Sequence, residues 1–315
     1  MAQKRNPGTP LELAWLDDLS RRLVDSDGRA PELAAHAPPS GGRAEDLLLA
    51  VELLDLTALN ASDTDETVRR LCAQALTPIP EDLVAAKGAL RRPIEVAAVC
   101  IYDRFVPVAR ASLGGHSIRT AAVTAGFPWP HSKLEQRLEE VRATVAAGAD
   151  EVDLVIDRRL ATAEAWEALY REVRLLREAC GPARLKAILA AGDLGSLATV
   201  GQAGLICCMA GVDFIKTSTG REGVNATLPI GWSMATAILG YQGRTGHVVG
   251  LKAAGGIRAT GQALQWLHLV RETLGPEWLT RERFRIGASS LLDDLVRSLR
   301  TEVSEGRRHG DVGKP

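Results

Sequence analysis

Four charged residues stand inside stretches that are otherwise apolar: Asp153 in EVDLVID, Lys186 in LKAILAA, Lys216 in DFIKTS and Lys252 in VVGLKAA. Burying an unpaired ion costs on the order of several kcal/mol, so each of these charges needs a partner or a task. One reading is structural: Asp153 pairs with Lys186 or Lys252 and closes a core without chemistry. The other follows if Lys216 and Lys252 fall on adjacent strands with one carboxylate nearby. Like charges in a desolvated cavity do not all stay ionised, so one amine should be left neutral at pH 7. A neutral amine attacks carbonyls, and a carboxylate with a second amine beside it can move the protons.

The residues that follow three apolar runs suggest an anion. Lys216 leads into Thr217, Ser218, Thr219, Gly220 and Arg221; Lys252 leads into Ala253, Ala254, Gly255 and Gly256; and FRIGAS leads into Gly287, Ala288, Ser289 and Ser290 before LLDDLVRSL. Small residues let backbone N–H groups approach a phosphate, and a helix N-terminus adds partial positive charge. Taken singly, GG and GASS read as tight turns with a serine cap. Three such loops together, with Arg221 as a cation, favour phosphate.

These side chains need a scaffold, and the chain repeats one theme that supplies it. Eight short apolar runs lie near Leu53, Val96, Ile118, Glu151, Leu185, Asp213, Val248 and Phe284. Most are continuous, as expected of strands buried on both faces. Between them, segments such as KLEQRLEEVRATVAAGA and AEAWEALYREVRLLREAC carry apolar residues at i, i+3, i+4 and i+7. The pattern predicts an α/β protein of the (β/α)8 TIM-barrel type with an N-terminal helical extension, a fold of about 250 residues. A doubly wound sheet is the alternative, but no strand is followed by its G-x-G-x-x-G turn. In a barrel the loops after strands 7 and 8 are the usual phosphate site.

Composition narrows the function. Lysine and arginine total 38 against 39 acidic residues, a formal charge of -1, so no bulk field draws the chain to nucleic acid or an anionic membrane. Aromatics are 4%, which argues against base-stacking platforms. Five scattered cysteines (Cys72, Cys100, Cys180, Cys207 and Cys208) argue against a disulfide framework or zinc site and for a reducing, cytoplasmic setting. Cys100 reads as a small core residue, or else as a thiol open to modification by reactive carbonyls. The six histidines show no HxH or HxxxH spacing of the kind that holds a catalytic metal. The uncharged stretches 194–212 and 223–243 are interrupted by Gly, Gln, Asn and hydroxyl residues, and are expected to be buried segments of a globular fold, not membrane spans. The expected organisation is a partly disordered extension over 1–46 with a helix near Leu11–Leu23, a barrel over 47–300 and a polar tail over 301–315.

The runs LLDLTALNASDTDETVRRLC, VAAVCIYDRFVPVAR, GADEVDLVID, DFIKTSTG, VGLKAAGGIR and FRIGASSLL closely resemble the 2-deoxyribose-5-phosphate aldolase family, in order and spacing, from about Leu47 to Leu292. TAGFPWP and ILAAGDLG resemble its longer branch. The resemblance implies a cofactor-free class I aldolase in deoxyribonucleotide catabolism, which cleaves 2-deoxy-D-ribose 5-phosphate reversibly to D-glyceraldehyde 3-phosphate and acetaldehyde. Its partners would be a small phosphorylated sugar and aldehydes, with a homodimer as the assembly. By position, Lys216 would form the Schiff base, Lys252 would perturb it and share in proton transfer, and Asp153 would relay protons with Lys252 and water. Lys186 would be a supporting cation counted with the substrate-binding set. Gly220, Arg221, Gly255, Gly256, Gly287, Ser289 and Ser290 would hold phosphate, and Asp55 and Thr57 would line the pocket.

Four departures from the family pattern stand out. Asp103 occupies a usual proline position, Arg221 replaces lysine, Ala191 replaces threonine, and the C-terminal segment TEVSEGRRHGDVGKP has no tyrosine to assist proton abstraction. Two other readings compete: a lysine-dependent aldolase with a different acceptor, and an idle barrel that binds a sugar phosphate as a regulator. The second gains little from a buried neutral amine.

Overall fold

The computed structural model describes residues 4–24, 44–86 and 94–311. In chain order the elements are α1 (Ala14–Val24), α2 (Ala44–Glu52), β1 (Leu54–Ala58), α3 (Asp65–Leu76), α4 (Glu81–Ala86), β2 (Ala98–Tyr102), α5 (Val106–Leu113), β3 (Arg119–Val123), α6 (Leu134–Ala146) and β4 (Glu151–Val155). They continue as α7 (Arg158–Thr162), α8 (Trp166–Ala179), β5 (Arg184–Ile188), α9 (Leu197–Met209), β6 (Phe214–Lys216), α10 (Leu228–Thr245), β7 (Gly250–Ala254), α11 (Thr260–Thr273), β8 (Phe284–Ala288) and α12 (Leu291–Asp311). The eight strands pair in sequence order, all parallel, and β8 closes on β1. Closure excludes the open doubly wound sheet.

The expected strands fall where the apolar runs placed them, and their residues alternate between two interiors. In β4, Val152 and Leu154 join the layer between sheet and helices, while Glu151 and Asp153 share the opposite face. The helices cover the outside with single stripes; α8 buries Trp166, Leu169, Val173 and Leu176 at helical spacing.

The two uncharged stretches become α9 and α10, and their composition has a structural cause. Each packs on the barrel, they pack on one another, and α1 lies across both, burying Leu16, Leu19 and Leu23. Helices covered on several sides need apolar residues all round. Among the described residues no helix is long and apolar enough to cross a membrane.

The described part of the N-terminal extension is therefore packed and not loose. Asn6, 2% exposed, donates from Nδ2 to the carbonyls of Cys208 and Val212 and accepts from the Tyr241 hydroxyl at 2.8 Å. Arg5 pairs with Asp213 at 3.0 Å. At the other end α12 runs on to Asp311, so the expected boundary at 300 falls inside a helix. The stretch expected to be most loosely ordered, 25–43, lies outside the described residues, as do 312–315 of the C-terminal tail.

Candidate active site

Strand register assembles the charged residues in the barrel interior. Asp153 lies beside Lys186, and Lys216 beside Lys252. Asp153 is the hub: its Oδ1 accepts from Lys186 Nζ at 2.6 Å, and its Oδ2 accepts from Lys216 Nζ at 2.9 Å and Lys252 Nζ at 2.8 Å. Lys252 also meets Asp55 Oδ2 at 2.6 Å. Lys186 meets Glu151 Oε2 at 2.6 Å and Asp55 at 3.7 Å. Below them Arg285 pairs with Glu151 at 2.9 Å and lies 3.6 Å from Asp55.

The expectation of one carboxylate near the lysines is corrected by this geometry. Lys186, Lys216, Lys252 and Arg285 face three carboxylates, Asp55, Glu151 and Asp153. Glu151 and Arg285 were missed, although each stands two residues before a recognised position, Asp153 or Gly287, and residues i and i+2 of a strand share a face. The cluster carries one cation more than it has carboxylates.

Burial disfavours every charge here, yet most of these groups are held ionised. Burial opposes ionisation of Asp153, but Lys186, Lys216 and Lys252 outweigh it and hold the carboxyl well below its usual range. Glu151 is likewise lowered to about 2, because Arg285 and Lys186 overcome its burial. The Lys252 ammonium would fall on burial alone, but Asp153 and Asp55 raise it above the usual lysine range. Lys186 is raised by Asp153 and Glu151 in the same way. Lys252 is thus held firmly charged.

Above the cluster lies a cavity of about 230 Å³ at the carboxyl ends of the strands. Lys216 opens into it, as do Thr57, Gly220, Arg221, Gly255, Gly256, Gly287 and Ser289. Asp153, Lys252, Lys186 and Asp55 sit beneath it, each 0% exposed. Asp55 and Lys186 therefore do not line the pocket as expected. Asp55 shares the inward face of β1 with Thr57 but lies one layer deeper, and Lys186 is enclosed by carboxylates. Ser290 does not line the cavity either. Arg258, present in the GGIR run but given no role from sequence, adds a second cation at the rim.

Local geometry keeps this layout open. A Cβ at Gly287 would lie 3.0 Å from Lys252 Cε and 2.9 Å from Ala254 Cβ. Gly255 has φ +94°, and a Cβ there would lie 2.6 Å from Asn225 Oδ1. Thr217 Oγ1 donates to the Ala254 carbonyl at 2.8 Å and accepts from its N–H at 2.9 Å, joining the ends of β6 and β7. The Phe127 ring stands 5.9 Å from Lys216 Nζ and packs with Cys100, Ala121 and Val123, so the amine faces an apolar wall on one side. Cys100 is fully buried, and burial pushes its thiol up to about 11.

Gly220 differs from expectation. Its N–H lies at the pocket edge but already donates to Glu222 Oε2 at 3.1 Å. Asp103 and Ala191 are not among the cavity's lining residues; the Asp103 carboxylate accepts from the Thr124 hydroxyl at 3.1 Å.

A closed parallel barrel with an amine at the end of strand 6, under a cavity rimmed by amides and arginines, has the architecture of an enzyme that works on carbonyl carbon. The chain belongs to the DeoC/LacD family of aldolases, whose profile matches residues 49–293, and is a lyase of that type. Deoxyribose-phosphate aldolase of Homo sapiens is 46% identical over 302 residues, covering 95% of each chain. The Mus musculus protein of the same name is 47% identical over 300 residues, covering 94% of each. The tetrameric deoxyribose phosphate aldolase of Aeropyrum pernix shares the fold with a TM-score of 0.59 at 23% identity, over 90% of this chain and 98% of that one.

Proposed function

We propose that this aldolase cleaves 2-deoxy-D-ribose 5-phosphate reversibly to D-glyceraldehyde 3-phosphate and acetaldehyde, through a Schiff base on Lys216, in the breakdown of deoxynucleosides. One observation carries the assignment of the nucleophile. Lys216 is the cation of the cluster that opens into the cavity, and among the described residues it has a single carboxylate partner, which it shares with Lys186 and Lys252. With one cation in excess, the amine with the fewest partners and access to the cavity is the one free to leave its ion pair and meet a carbonyl.

In this reading Lys216 Nζ adds to the aldehyde carbon C1 of the open-chain sugar, and loss of water gives an iminium. A base takes the proton of the C3 hydroxyl, the C2–C3 bond breaks, and its electron pair passes into the iminium to form an enamine while glyceraldehyde 3-phosphate leaves. Protonation at C2 and hydrolysis then release acetaldehyde and the free amine. Asp153, held ionised, is a weak base by itself; it balances the iminium charge and orients the water that, with Lys252, carries protons. The iminium supplies the electron sink, so the reaction calls for no metal or cofactor and should survive EDTA. The phosphate falls to Gly255, Gly256, Gly287 and Ser289, with Arg221 and Arg258 as counter-charges. Binding it there, away from the bond that breaks, orients the sugar.

The decisive experiment is borohydride reduction in the presence of acetaldehyde or substrate, followed by peptide mass analysis. An increment on the Lys216 peptide is expected; a folded protein without one sinks the mechanism. A homodimer and a cytoplasmic setting belong to the same reading. Five free, buried cysteines support a reducing compartment, and light scattering would decide between a dimer and a tetramer like the Aeropyrum pernix protein.

A further inference from the structure

The loop after β6 holds an anion of its own. Glu222, 7% exposed, turns its carboxylate back on residues 219–221. Oε1 accepts from Thr219 N at 3.1 Å and Thr219 Oγ1 at 2.9 Å; Oε2 accepts from Gly220 N at 3.1 Å and Arg221 N at 3.2 Å. Successive N–H groups converging on one point form an anion-binding concavity, the kind of feature that suggested phosphate here. In this chain the concavity is filled.

Glu222 and its neighbour Arg221 anchor the loop to both walls of the cavity. The Glu222 carbonyl accepts from Asn225 Nδ2 at 2.8 Å, and the Asn225 side chain packs on Gly255. On the other side Arg221 Nη2 donates to the Leu59 carbonyl at 2.8 Å. The loop begins one residue after Lys216, so its shape sets the space above the amine. A phosphate dianion entering the same amides would have to displace the carboxylate or sit against it, and like charges at that range repel.

We propose that Glu222 is a positioning residue: the resident anion of the 219–221 amides, which fixes the loop beside Lys216 and reserves the phosphate for the opposite rim at Gly255, Gly256, Gly287 and Ser289. This inference rests on the aldolase reading above. It divides the backbone amides of the rim into a filled set at β6 and a receiving set at β7 and β8.

Glu222→Ala and Glu222→Gln test it with 2-deoxyribose 5-phosphate and unphosphorylated 2-deoxyribose, in formate titrations held at constant ionic strength with chloride. Loss of several charge-assisted hydrogen bonds should lower kcat for both sugars about tenfold or more in Glu222→Ala, with little change in KM for the phosphorylated one. Formate, which matches the lost carboxylate, should restore most of that activity. Glu222→Gln should fall between, since its amide oxygen accepts hydrogen bonds without charge. The inference is overturned if a folded Ala variant shows no formate rescue, if kcat is unchanged, or if either variant lowers KM for the phosphorylated sugar alone, which would mean that phosphate takes the vacated amides. Should the Ala variant not fold, Glu222→Gln decides by the same comparison of kcat on the two sugars. Borohydride trapping of the unmodified enzyme separates the two failures: no adduct defeats the aldolase reading, whereas an adduct with an unrescued variant defeats only the role of Glu222.

Discussion

The floor and the mouth of this barrel contain the same kinds of side chain and differ in how completely they are paired. At the floor Lys186 touches Glu151, Asp153 and Asp55, and Arg285 touches Glu151 and Asp55, all of them buried. At the mouth Lys216 meets one carboxylate among the described residues, Asp153, and faces a cavity. A lysine enclosed by carboxylates is a structural cation. A lysine short of carboxylates and open to a ligand can become a nucleophile. Burial does not separate the two, since Lys186 and Lys216 are 0% and 2% exposed; partner number and access do.

The contrast predicts that substitutions at the two ends will divide activity from stability. Lys216→Ala should cut turnover by about four orders of magnitude or more. It should leave the protein folded, because it breaks one ion pair, to an Asp153 that keeps Lys186 and Lys252, where loss of Lys186 breaks three; activity within a hundredfold of the parent, or a large fall in Tm, would break the comparison. Lys186→Met should do the reverse first. It takes the shared cation from Glu151 and Asp153, leaving Glu151 to Arg285 and Asp153 to Lys216 and Lys252, at about 3 kcal/mol, and a fall in Tm on the order of 10 °C by calorimetry is expected. An unchanged Tm would show that the floor is not the structural end.

Acid sharpens the same point. Glu151 has its folded pKa depressed to about 2 from 4.5, so the stability it contributes is fully present above pH 4.5 and is lost as the pH falls through about 2. Glu151→Gln should therefore be less stable than the parent at pH 7 and lose less Tm between those two values. Parallel acid profiles for parent and variant would contradict the pairing. The smallest effect is expected at the rim: Arg221→Ala should raise KM for the phosphorylated sugar about tenfold, the worth of one charge-assisted contact, and change kinetics on the unphosphorylated sugar far less. Equal losses on both would remove Arg221 from the phosphate site.

Much of this was legible in the chain because both periodicities are strong. Eight apolar runs separated by amphipathic segments leave little choice of fold, and a charge inside such a run is conspicuous. Asp153, Lys186, Lys216 and Lys252 could be picked out for that reason. Glu151 and Arg285 escaped notice because they stand at strand starts, where a charge looks like the edge of a loop. Glu222 escaped notice because REG reads as a solvated turn, and only the reversal of the chain at residues 219–222 brings its carboxylate onto three amides.

The sequence by itself determined the barrel, the order of its strands and the residue types available to its interior, since these follow from hydrophobic period and local spacing. Tertiary structure alone decided which layer each charge occupies, how many carboxylates meet each amine and which amides are still free. Those properties depend on the stagger of neighbouring strands and on contacts between residues as distant in sequence as Asp55 and Lys252, and no local pattern encodes them.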